Sequence, residues 1–526
     1  MAVLGSLFVA VNVLLRYVPI FTDEMNIKMQ RARALLDDGR LITLFPQCGG
    51  TYALPVPWSW WPARLFDAAL YQDLSNPIKL RYLGMAGAWI WLAIMVWSAR
   101  RILRGAIGTS AIVLGLLSFA GLGTLPVLLA VNRPEQPLVI GVTLAVVGPL
   151  LLDGVARTPL RIGLLFAGLV LVLCAMFTFH PKGLLFLPVA LVACRVFPST
   201  WPRALACVLV AAFALDTWHF MAVKMQCPDS ARVQAYLAAQ MLRPSVAHPV
   251  AMFSKGLRNL RGSDQYLRGI LFAPRAWFNH DHELAVGAAA TSLNGGISLA
   301  VLSVVAYSAW AWLRMAATDL SRRTVSPRTL AAGGLAASLV ALAFFQSGKP
   351  FYNAANVLPL LALMFVLVLP SSVVGARSRW PHVALGALFC LSCWSQLHLV
   401  RSLLPDDTVG ARELTFPWGA AISLPLSDFP AANARTLAMA ARCGISPTAA
   451  SRHVLVDDMT YPALFRTREP FHALYVGQQL FGVDDLQRLL RDTHSDGAVT
   501  RCTSLPVSLR GISSEDGVVC CVPASH

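Results

Sequence analysis

The sequence predicts an α-helical protein that crosses the membrane many times. Of its 526 residues only 13% are charged and 56% are hydrophobic, with a mean hydropathy of +0.59, whereas soluble domains carry about 25% charged residues. The apolar residues come in runs of roughly 17–24, enough to cross about 30 Å of hydrocarbon as helices. The alternating short segments of a membrane β-barrel are missing from the sequence. The net charge of +16 and pI near 9.7 would suggest nucleic acid in a soluble chain. Here basic cytoplasmic loops and anionic lipid account for them. No zinc-finger spacing, Walker loop or basic-aromatic RNA motif appears, so membrane lipid is an expected partner and nucleic acid is not.

Eleven stretches fit transmembrane helices: about 2–20, 82–99, 107–130, 137–153, 162–179, 183–197, 204–222, 291–313, 329–346, 354–371 and 381–399. The first could pass for a secretory signal. It lacks a basic start, Arg16 interrupts it and no small-residue cleavage site precedes Asp23, so it reads as a retained span. One set of short loops holds Arg100, Arg101, Arg104, Arg157, Arg161, Arg195, Arg203, Arg314, Arg322, Arg323, Arg328, Arg377 and Arg379. The opposite short loops hold one cation each, Arg133, Lys182 and Lys349. By the positive-inside rule the first set is cytoplasmic. The N-terminus is then inside and everything after about residue 400 is outside.

Residues 1–400 therefore read as a transmembrane domain with large outer loops at 21–81 and 223–290. Residues 401–526 read as a small α/β domain on the outer face. In the first loop a helical stretch, MNIKMQRARALLDDG, precedes the aromatic PVPWSWWPARLF, which suits helices lying on the membrane surface. In the C-terminal segment RHVLVDDMTY and DGVVCCVP are strand-like and VDDLQRLLRDTH is helical. Cys174, Cys194, Cys207, Cys390 and Cys393 fall in or beside apolar helices, where they act as small hydrophobes. Cys48, Cys227, Cys443, Cys502, Cys520 and Cys521 fall on the outer side, where disulfides are permitted. Cys502 with Cys520 or Cys521 is one pairing to expect.

Polar groups that the topology does not need gather in four loops of that outer face. FTDEMN brings Asp23 and Glu24, and NRPEQP brings Arg133 and Glu135. FTFHPKG brings His180 and Lys182, and SGKPFYN brings Lys349, Tyr352 and Asn353. Singly, a Lys or Arg at a helix end snorkels to the headgroups. Together, carboxylates facing cations at the bilayer boundary describe a site. The cations suit a lipid-anchored phosphate and a carboxylate suits general-base work on a hydroxyl. That combination fits glycosyl transfer from a polyprenyl-phosphate sugar, with the cations stabilising the departing phosphate.

These features resemble the GT-C glycosyltransferases, and in detail the arabinofuranosyltransferases of the bacterial cell envelope. VNRPEQPLVIG is similar to their arginine-proline-glutamate loop, and FTFHPKGLLFLP to their histidine-proline-x-glycine-leucine segment. MQRARALLDDGRL with LSNPIKLRYLGMAG is similar to the tail of their first outer loop. The resemblance covers roughly residues 15–200 and, more loosely, GKPFYN. It implies that Asp23 is the catalytic base, with Glu24 the second acid of the pair. Arg133, Glu135, His180, Lys182, Lys349, Tyr352 and Asn353 would then bind donor phosphate or sugar. The implied enzyme is an inverting, lipid-phosphate-sugar-dependent glycosyltransferase of the inner membrane with a periplasmic active site. Its acceptor would be a glycan, a lipid or a protein. No cofactor is dictated, and a divalent metal ion stays open. The C-terminal segment, about 125 residues, is smaller than the carbohydrate-binding domain of the cell-wall enzymes. Lys182 also stands where they usually carry a neutral residue.

A lipid-linked sugar flippase or other transporter is the alternative, although ionisable residues on one face and large outer loops are unlike the midplane sites of transporters. A structural subunit of an envelope assembly is a third reading, and it leaves the polar loops unexplained. NHDHE, with His280 and His282 two residues apart, reads as interfacial polar residues rather than a metal site. Asp457 and Asp458 read as a strand end. His219 reads as satisfied by a neighbouring helix, and Cys390 with Cys393 as helix packing.

Overall fold

The computed structural model describes residues 1–15, 40–42, 48, 53–71, 78–103, 107–152, 158–197, 199–240, 249–268, 270–271, 288–345, 350–369, 380–403, 415–416, 419–420, 429–445, 453–457, 460–464, 472–473, 486–492, 495–502, 505, 510, 512–515 and 517–524. The chain divides into two compact units. One comprises Met1–Leu15, Leu83–Trp218 and Met241–Leu403, the other Arg16–Tyr82, His219–Gln240 and Leu404–His526.

Six helices among the described residues are long and apolar enough to cross a membrane: Lys79–Ile102, Pro159–Thr178, Thr200–Lys224, Thr291–Ser321, Pro327–Phe345 and Pro381–Arg401. The protein is thus a multi-pass membrane protein built of helices. Five expected spans look different. Ala2–Leu14, Glu135–Leu151 and Asn353–Val368 are shorter apolar helices. The stretch 107–130 is broken into Thr109–Ala120 and Leu125–Ala130. The break is chemical. Gly123 has φ +53° and a Cβ there would strike the carbonyl of Ile270, while that carbonyl accepts from Thr124 N at 3.0 Å. Ser395 Oγ accepts from Gly123 N at 2.6 Å. The stretch 183–197 holds only seven α-helical residues, Leu187–Ala193, between the tight turns Pro181–Phe186 and Cys194–Val196.

Within this unit Ala2–Leu14 packs on the Trp380–Leu403 helix, and Pro350–Val368 packs on Glu135–Leu151 and Pro327–Phe345. Arg328, in the first turn of Pro327–Phe345, donates to the carbonyls of Val366 at 3.3 Å, Leu369 at 2.6 Å and Leu367. It caps the C-terminal end of the Pro350–Val368 helix, a place where a cation also meets the helix dipole favourably.

In the other unit Arg40–Ile42 pairs antiparallel with Ala53–Pro55, followed by the tight turn Trp58–Trp60 and the helix Trp61–Tyr71. Leu54 and Trp60 pack against Phe220, with the two rings 4.6 Å apart. A disulfide joins Cys48 to Cys227. The expected C-terminal strands and helix are His453–Val456, Val519–Pro523 and Leu486–Asp492. The sheet runs His472–Ala473, His453–Val456, Ser495–Arg501, Val519–Pro523, Ile512–Ser513. The first three strands are parallel and the last two antiparallel to their neighbours. Leu455, Leu489, Leu490, Ala498 and Cys520 form its core. Cys502 pairs with Cys520, as one expected pairing had it, and Cys443 with Cys521.

Candidate active site

Arg133 and Glu135 are placed by a loop clamped on both sides. Pro134 caps the Glu135–Leu151 helix and Glu135 occupies its first turn, where a carboxylate favours the positive helix end. Gln136 donates to the carbonyls of Gly84 at 2.6 Å and Leu129 at 2.7 Å. Gly84 is required there, because a Cβ would strike the carbonyl of Ala130. The loop between Leu125–Ala130 and Glu135–Leu151 is thereby held against the Ile78–Ile102 helix.

His180 and Lys182 are placed by a second tight turn. His180 caps it, Nδ1 accepting from Lys182 N at 3.0 Å, and Pro181 supplies the fixed φ of a first helical position. A Cβ on Gly183 would strike the carbonyl of Met176. Met176 belongs to the π-helical turn Cys174–Thr178, which also packs on Gly141, whose added Cβ would lie 2.8 Å from that of Ala175. Glycines on both sides thus let the histidine turn seat against the Glu135–Leu151 helix.

The two loops meet at one atom. Glu135 Oε1 lies 3.3 Å from Arg133 Nη2, 3.3 Å from Lys182 Nζ and 3.6 Å from His180 Nε2. The side chains of Glu135, Arg133 and Lys182 are only 2%, 4% and 7% exposed. Nδ1 of His180 accepts a backbone N–H, which leaves Nε2 to face Glu135. Glu135 precedes the apolar stretch expected to span from 137. Burial pushes its carboxyl up, but the Arg133 guanidinium and Lys182 ammonium outweigh burial and hold its pKa at about 2. Buried Glu135 Oε2 accepts no hydrogen bond among the described residues.

Asn353 is buried in the first turn of Pro350–Val368, the helix that packs on Glu135–Leu151. Asp23, Glu24 and Lys349 lie outside the described residues, as does the side chain of Tyr352. So do His280, His282, Asp458 and MNIKMQRARALLDDG. Among the described residues no group of three or more His, Cys, Asp or Glu could hold a metal ion.

Asp457 has a structural partner. Its Oδ2 accepts from Arg501 N at 2.8 Å and Nε at 3.0 Å, and its Oδ1 from Thr460 N at 3.1 Å, tying two parallel strands at their ends as a strand-end role requires. His219 departs from expectation: it is exposed on the Thr200–Lys224 helix rather than satisfied by a neighbouring helix. Sequence reasoning also passed over Gln136. Nothing in its spacing marks it, because the two carbonyls that it binds come from other helices.

No protein-family model matches the chain, and no curated protein does. A solved structure, that of ArnT from Cupriavidus metallidurans in the apo state, is similar over 98% of this chain and 97% of that one. The identity is 14% and the TM-score 0.39.

Proposed function

We propose that this chain is an inverting membrane glycosyltransferase of the GT-C kind. It moves a sugar, arabinofuranose by resemblance, from a polyprenyl-phosphate donor to a hydroxyl of a glycan, lipid or protein on the outer face of a bacterial inner membrane. The observation that carries this reading is the convergence of Arg133, His180 and Lys182 on the buried Glu135. A snorkelling lysine would end in water, whereas Lys182 is enclosed. Buried ion clusters are costly, and ionisable groups kept near a bilayer are usually functional. Arg133 and Lys182, converging on Glu135, suit the phosphodiester that links a sugar to a lipid.

In this reading Asp23 accepts the acceptor's hydroxyl proton as that oxygen attacks the anomeric carbon opposite the phosphate. The bond from that carbon to the phosphate oxygen breaks, and the lipid phosphate leaves with its electron pair. Arg133 and Lys182 stabilise the charge that develops on it. A phosphate leaving group needs little protonation, so one base suffices. Glu24 orients the acceptor, and Lys349, Tyr352 and Asn353 contact the donor. Asp23→Asn, assayed for lipid-sugar-dependent transfer in membranes, is expected to lose about 10²–10⁴-fold in rate. Full retained transfer overturns the base assignment.

One observation favours the flippase reading. The break at Gly121–Thr124 faces Ser392, Ser395 and Gln396, all fully buried, and discontinuous helices with polar partners are where transporters bind. Movement of a lipid-linked sugar across proteoliposomes, without transfer to any acceptor, would favour it.

A further inference from the structure

Outside the candidate site, the helix Pro249–Arg261 has three distinct faces. Gly256 and Asn259 are buried, and Met252 and Leu260 are half-buried. This face packs on the Pro327–Phe345 helix. Asn259 Nδ2 donates to the carbonyl of Phe344 at 2.9 Å, the Phe253 ring lies 5.9 Å from that of Phe344, and Gly256 leaves room for the Phe344 ring, which a Cβ would strike. Phe344 is in the last turn of a helix able to cross the membrane, so the shorter helix is held at the level where a bilayer ends.

Beside the buried face runs a largely exposed apolar stripe. Val250, Phe253 and Leu257 are 80%, 57% and 40% exposed, and at 3.6 residues per turn they fall within about 60° of one another. The remaining face carries Lys255, Arg258 and Arg261, and the helix contains no acid. The first acid beyond it is Asp264. A helix with one face on protein, the next apolar and exposed, and the third cationic has the division of an in-plane amphipathic helix.

We propose that Pro249–Arg261 lies along the bilayer surface and binds anionic phospholipid. Val250, Phe253 and Leu257 enter the acyl boundary, and Lys255, Arg258 and Arg261 meet the headgroup phosphates. Charge complementarity selects an anionic leaflet over a zwitterionic one. The anchor requires only that the neighbouring helix cross the membrane, so it stands whether or not the chain transfers a sugar.

The test uses the full chain in nanodiscs of mixed phosphatidylcholine and phosphatidylglycerol. Phe253→benzoylphenylalanine is photoactivated and its adducts are read by mass spectrometry. Lipid adducts are expected, with phosphatidylglycerol enriched over its bulk share by about fivefold, the factor that one surface cation supplies near anionic lipid. Replacing the three exposed or half-exposed cations (Lys255→Gln, Arg258→Gln, Arg261→Gln) should return adducts to the bulk ratio while keeping their yield. Adducts to protein alone, or none, overturn the membrane anchor. Lipid adducts at the bulk ratio in the unaltered helix, or an enrichment that survives the three Gln substitutions, overturn the anionic selection.

Discussion

Two atoms of His180 do different work. Nδ1 caps the turn that carries Lys182, and Nε2 faces Glu135 at 3.6 Å. Asparagine can imitate the first role but not the second. His180→Asn should therefore melt near wild type in detergent while His180→Ala loses about 1 kcal/mol, the usual cost of a missing cap. Transfer assays on the Asn variant then report the Nε2 contact alone. Glu135 offers a second test. Glu135→Gln leaves Arg133 and Lys182 buried without their carboxylate, a loss of about 3–5 kcal/mol for a broken buried pair. The pH sign follows from a carboxyl held at about 2. Its contribution is complete above the ordinary carboxylate range and is lost only as pH falls toward that value. The melting-temperature gap between wild type and Glu135→Gln should stay constant from about pH 8 to about pH 5. A gap that closes within that range would mean that a different group supports the cluster.

At the scale of elements, the helices owe their placement to glycines that admit another segment's backbone. Gly84 admits the carbonyl of Ala130, Gly183 that of Met176 and Gly123 that of Ile270. Gly123 also has a positive φ, so Gly123→Ala combines strain of about 1–3 kcal/mol with a collision against backbone. It should lower the melting temperature more than Gly148→Ala, whose Cβ would meet open space. Equal melting temperatures would show that the break between Thr109–Ala120 and Leu125–Ala130 can re-form elsewhere. Buried Ser392 and Gln396, hydrogen-bonded at 3.2 Å, line that break because Gly121 leaves room for both side chains.

At the scale of the whole chain, cysteines sort by environment. The six expected on the outer side form three bridges, Cys48–Cys227, Cys443–Cys521 and Cys502–Cys520. The five in or beside apolar helices stay free. Non-reducing peptide mapping of protein from intact membranes should recover those three links, as an oxidising compartment would make them. Alkylation of all eleven cysteines without prior reduction would refute both the pairing and the outer placement of these segments.

Composition by itself determined the class of molecule, because a low charge fraction and long apolar runs have no stable alternative to burial in lipid. Periodicity likewise foretold two strands of the C-terminal sheet, His453–Val456 and Val519–Pro523, and loop chemistry singled out Arg133, Glu135, His180 and Lys182. What it could not foretell was that the other three would converge on one oxygen of Glu135. That meeting depends on Gly84, Gly141 and Gly183, whose missing Cβ atoms matter only once another backbone lies against them. The break in 107–130 escaped for the same reason: an apolar run containing glycines reads as one span until Ile270 and Ser395 offer its backbone other partners. Hydrophobicity is a sum over local sequence and can be read there. Close approach and hydrogen-bond exchange between distant segments exist only after folding, so tertiary structure alone decided the site.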